Sequence, residues 1–193
     1  PEAEAVTRAA RQAVEIARAA RLVAGAPVRL TPVDPVTAAW SNPVLRDPWS
    51  VPLERMIALL ADATRTMARV RGVRIAEGMM DFWRTNKHFR SSEGAVIDQV
   101  ITESGGGIGA VAVRDGEVQR RSYPASFRGD FGTGGYELIE AMGLAGHAQQ
   151  TAEEAAALLD APPCPAGVTT LIIDSDQTAL QIHESIGHAI EFD

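Results

Sequence analysis

Between Val73 and Tyr123 the chain runs through short segments of β-branched or alternating character, closed by turn residues. In VRIAEG, DFWRTNKHFRSS, AVIDQVITES, IGAVAVRD and EVQRRSY the apolar residues follow a period near two, not 3.6. Side chains at that period alternate between the faces of a strand, so the middle of the chain is committed to a sheet. Asp115-Gly116, flanked by Val111, Val113 and Val118, has the composition of a two-residue hairpin turn, and Ser92-Glu93-Gly94 marks another turn. The expected product is a mostly antiparallel meander over about 73–123. Gly105-Gly106-Gly107 with Gly109 interrupts it. A phosphate cradle would need a Lys-Ser/Thr ending and a following helix, and neither is present. The glycines therefore read as a β-bulge or a tight connection between strands.

Helices are expected on both sides of this block. Residues 2–24 are rich in Ala, Arg and Glu and place Val6, Ala10, Ala13 and Ala20 on one stripe, which predicts an amphipathic packing helix stopped by Gly25 and Pro27. Leu53, Met56, Ile57, Leu60, Ala63 and Met67 predict a second helix, with Pro52 at its first turn and its end near Arg69. Between them, residues 26–52 hold Pro27, Pro32, Pro35, Pro43, Pro48 and Pro52. That spacing predicts a long extended connection, pinned by burial of Trp40 and Trp49. After a glycine-rich loop at 126–134, helices are expected at about 135–143 and 146–160. APPCPAG then breaks the chain, and Cys164 in it is a candidate ligand set against a structural or incidental cysteine. Thr169–Asp174 reads as a short apolar strand, followed by Asp174, Ser175 and Asp176 as candidate N-caps. The fold class is thus α+β: N-terminal helices packed on a mostly antiparallel sheet, ending in a strand and a last helix over 177–191.

Composition narrows the function. Eighteen basic against 25 acidic residues give a net charge of −7, which disfavours general affinity for nucleic acid backbone. The group Arg120, Arg121 and Arg128 is too small to reverse that balance. An apolar share of 46% suits a folded domain, and no apolar run approaches the ~20 residues needed to span a bilayer. One cysteine allows no internal disulfide, in keeping with a cytoplasmic setting. The chain starts at Pro1, without a methionine.

The last helix carries the chemistry. In Gln181-Ile182-His183-Glu184-Ser185-Ile186-Gly187-His188 two histidines flank a glutamate. Imidazole nitrogens are good zinc ligands, and a neighbouring carboxylate can take a proton from water. The familiar H-E-x-x-H pattern puts its histidines at i and i+4. Here they stand at i and i+5, about 140° apart on a regular helix. A π-bulge at this point, eased by Gly187, would bring His188 back over His183. By spacing alone the motif stays open to a plainer reading, two histidines on an amphipathic helix.

The segment LQIHESIGHAIEFD resembles the metal-binding helix of the TldD/PmbA family, metallopeptidases once described as modulators of DNA gyrase. NPVLRDPWSVPLE, GVRIAEGMMDFWR, SSEGAVIDQVITESG, DGEVQRRSYPASF and APPCPAG also resemble the N-terminal half of TldD-type members, in order, over about 40–193. The resemblance implies that 1–193 is an N-terminal α+β domain and that a C-terminal β-rich domain follows. It implies zinc, with His183 and His188 as metal ligands, Glu184 as catalytic base, and a further cysteine ligand beyond residue 193, not Cys164. It also implies cleavage of extended or unfolded peptides within a dimer, either a homodimer or a pair with a TldE/PmbA-type subunit. A piece lacking the second half is expected to hold metal weakly and to be inactive. The alternative is a non-catalytic adaptor working through a protein partner, with no direct nucleic acid or membrane contact.

Overall fold

The protein is described by a computed structural model covering residues 2–23, 25, 31–126 and 129–191. Ala24, Pro27, Arg128 and Asp193, which figured in the expectations above, lie outside the described residues. The sheet is built around β3 (Val96–Arg114), with β2 (Val73–Arg90) antiparallel along nearly its whole length. The other edge of β3 is shared by three short strands in succession. β1 (Thr37–Ser41) runs parallel to residues 96–100, β5 (Asp130–Thr133) antiparallel to 103–106, and β4 (Glu117–Tyr123) antiparallel to 108–114. The result is a mixed, mostly antiparallel five-stranded sheet.

The expected meander is present as β2, β3 and β4, but its five sequence segments are only three strands. VRIAEG and DFWRTNKHFR are one strand of 18 residues, and the glycines lie inside the 19 residues of β3. They are neither a bulge nor a connection, since pairing with β2 continues through Gly105, Gly106 and Gly107. Their reason is close approach. The Phe131 ring fills the place of a Gly105 side chain, and a Cβ on Gly107 would stand 2.6 Å from Gly129 Cα. Both predicted turns form. Asp115 (φ 51°) and Gly116 (φ 87°) are left-handed, the requirement of the type I′ turn whose twist matches the flanking strands.

Three helices cover one face of the sheet: α2 (Leu53–Ala68), α3 (Glu137–Met142) and α4 (Leu144–Ala157). Even-numbered β3 residues Ile108, Ala110 and Ala112 meet Ala63 and Met67 of α2 and Ala148, Ala152 and Ala155 of α4. Small residues on α4 and β3 let the elements approach closely, and Met67, fully buried, fills the space between them. Met67→Ala is expected to cost about 2–5 kcal/mol, lowering Tm by ~5–15 °C in thermal unfolding of the full-length protein. α1 (Ala3–Arg21) forms as expected but buries no residue, so the helices that pack are α2 to α4.

The proline-rich connection is held differently from the expectation. It contains a strand, β1, and Trp40 and Trp49 are 51% and 56% exposed. Polar bonds do the anchoring. Asn42 accepts from Thr102 N (2.7 Å) and donates to Thr102 O (3.0 Å), continuing the ladder where β1 stops. Glu137 accepts from the backbone of Arg46 (2.9 Å), Leu45 (3.2 Å) and Gly135 (2.7 Å). Burial acts to raise the Glu137 pKa, but these donors outweigh it and hold the carboxyl below its ordinary value. Trp49 instead lies 4.4 Å from the Arg84 guanidinium as a cation–π contact. Among the described residues, no helix is long and apolar enough to cross a membrane.

Candidate metal centre

Residues 169–174, expected as a strand, pair with no strand among the described residues, and Ile172 is 92% exposed. A strand exists only through a neighbour's hydrogen bonds, and the described residues offer none there. The cap that follows forms as expected: Asp174 accepts from Gln177 N at 3.2 Å and opens α5 (Ser175–Ile182). From His183 to Gly187 the helix widens into a π turn, closed by a bond from His188 N to His183 O. A short 3₁₀ turn, His188–Ile190, ends it.

The π turn removes the one-residue excess in the spacing. The imidazole rings of His183 and His188 stand 4.5 Å apart, centre to centre, inclined by 72°. Glu184 lies between their Nε2 atoms, 3.9 Å from His183 and 4.0 Å from His188. One ligating atom from each of the three residues falls within a 4.8 Å group, and all three side chains are exposed. Gly187 adopts a helical backbone (φ −54°, ψ −61°), and nothing stands nearer than 3.9 Å to where its Cβ would be. Its value is local pliancy, not close approach by a neighbour.

Two imidazoles with ligating atoms this close fit zinc, whose protein sites draw on nitrogen donors, and the carboxylate beside them is placed to take a proton from water. Sequence reasoning missed one participant. His188 Nδ1 lies 3.0 Å from Glu191 Oε2, so a proton on Nδ1 is donated to Glu191 and Nε2 keeps its lone pair. A carboxylate three residues after a candidate ligand was the available signal.

The other histidines and the cysteine are elsewhere. His88 pairs with Asp98 at 2.7 Å, and that bond, with Arg90, holds the Asp98 carboxyl below its usual pKa. His147 stacks on Tyr123 with ring centres 3.9 Å apart. Cys164 is exposed and outside the His183–Glu184–His188 group.

Comparison with known proteins bears on the part of the chain that precedes α5. A family profile described as the PmbA/TldA metallopeptidase central domain matches residues 46–159, more than half of the chain. A metalloprotease of Methanothermobacter thermautotrophicus is 31% identical over 77% of this chain, and one of Methanocaldococcus jannaschii is 31% identical over 76%. A metalloprotease of Archaeoglobus fulgidus is 26% identical over 78%. The chain spans about a third of the length of these relatives. With more than half of its residues matched by that profile, this chain belongs to the PmbA/TldD metallopeptidase family.

Proposed function

We propose that this chain supplies the histidine–glutamate arm of a zinc-dependent peptidase acting on extended or unfolded peptides. The observation that carries the reading is the π turn, which sets His183 and His188 side by side with Glu184 between them. In such a site zinc supplies Lewis acidity, polarising a carbonyl and lowering the pKa of water. His183 and His188 would hold the ion, and Glu191, beside His188 Nδ1, fixes the tautomer and orientation of that ring. Glu184 accepts the proton of the attacking water and passes it to the leaving amine. Its position supports that role: among the described residues the nearest charged partners of its carboxylate are the two imidazoles, at 3.9 and 4.0 Å.

A further ligand, a cysteine, is placed outside this chain, in the remainder of the longer protein. The working assembly is a dimer in the cytoplasm, of this subunit with itself or with a TldE/PmbA-type partner. Chelation tests the reading in the full-length protein. Cleavage of a reduced, alkylated substrate protein is expected to stop when zinc is removed and to return on adding it back. A zinc-loaded protein that cleaves nothing yet still alters its protein partner would favour the adaptor reading.

A further inference from the structure

On the face of the sheet opposite α2–α4, Gly107 and Gly109 of β3 form the floor of a trough of about 430 Å³. Met79 and Glu77 of β2 wall one side, and Arg120 and Ser122 of β4 the other. Arg120 and Ser122 also line a second hollow, shared with Gln177 and Leu180 of α5. Gln177 and Leu180 in turn line a third, which ends on Glu184. The three hollows are therefore neighbours that share wall residues, in a row from the glycine floor to Glu184.

We propose that this is one substrate path, with the trough as a subsite for the stretch of peptide remote from the cleaved bond and Arg120 as its specificity residue. The inference rests on the peptidase reading. The chemistry of the walls selects a main chain. Glu77 accepts hydrogen bonds and Arg120 donates them, so a peptide backbone, with N–H and C=O both to offer, suits the pair. An isolated anion meets Glu77, and an isolated cation meets Arg120. The two side chains stand 3.9 Å apart and each is more than half exposed, a loose ion pair that a ligand can part. Bare glycine at position 109 lets the peptide lie against the floor, where a side chain would hold it off, whereas Gly107 is covered by Gly129.

Length discriminates the subsite. From Glu184 back to Gln177 is seven residues of helix, about 10 Å. Three extended residues cover about that distance, so only a longer peptide reaches Arg120 and the glycines.

The test is calorimetric binding of an unlabelled eight-residue peptide of Ala, Ser and Leu, and of its three-residue counterpart, to full-length Glu184→Gln protein, which does not consume them. Adding Arg120→Ala is expected to weaken the longer peptide by about tenfold while the shorter changes less than about twofold. Adding Gly109→Val is expected to do the same. A Cβ there would meet the half-exposed Glu77 side chain at 3.3 and 3.4 Å and the Arg121 carbonyl at an ordinary 3.7 Å, and valine favours strands, so the strand is kept. Unchanged binding of the longer peptide in both variants overturns the subsite, as does equal weakening of both peptides. A protein with Arg120 and Gly109 intact that binds neither peptide, and whose Glu184 form cleaves none, overturns the peptidase reading and the subsite with it.

Discussion

Glu184→Gln in the full-length protein is expected to lower kcat/KM for peptide cleavage by about 10²–10⁴-fold, the usual span for loss of a positioned acid–base group. The substitution keeps the shape of the side chain and removes its ability to take a proton. It is also structurally mild. Glu184 is exposed and, among the described residues, makes no ion pair shorter than 3.9 Å and caps no helix end. Zinc content, thermal stability and oligomeric state are therefore expected to stay at their original values. Cleavage within about twofold of the original rate would remove Glu184 from the reaction.

His188→Ala has the second large effect, and on a different quantity. Zinc affinity is expected to fall by more than the roughly 10–100-fold that loss of an orienting partner costs. Glu191→Gln provides that comparison in the same protein, since Glu191 touches His188 Nδ1 and is argued to orient it. Competition with a chromogenic zinc chelator ranks the three proteins. The expected order of affinity is the unsubstituted protein, then Glu191→Gln, then His188→Ala. Equal losses in the two variants would make His188 no more than a structural neighbour of the site.

How legible these features were depended on whether the determining interactions were local. The Asp115-Gly116 turn was readable because the type I′ geometry is a property of two adjacent residues, and both take positive φ as required. The π turn was readable for a similar reason: two ligands five apart converge only if the helix widens between them. The glycines of β3 were not, because their cause is the Phe131 ring and Gly129, more than twenty residues further along the chain. Nor was the anchoring of the proline-rich connection. Its tryptophans suggested burial, whereas Asn42 and Glu137 hold it through bonds to Thr102 and to Leu45 and Arg46, pairings that no periodicity encodes. The 169–174 segment has strand composition without a strand partner, so propensity alone was an insufficient guide there. Glu191 was overlooked since the spacing argument weighed only the histidines and the glutamate next to them.

The central claim is that the π turn makes His183 and His188 ligands of one zinc ion. Zinc-edge X-ray absorption of the zinc-loaded full-length protein tests it most directly. The account predicts multiple-scattering features of two imidazoles on zinc, falling to one in His183→Ala or in His188→Ala and to none when both are replaced. A zinc spectrum without imidazole, or with two imidazoles that persist after both replacements, would contradict it.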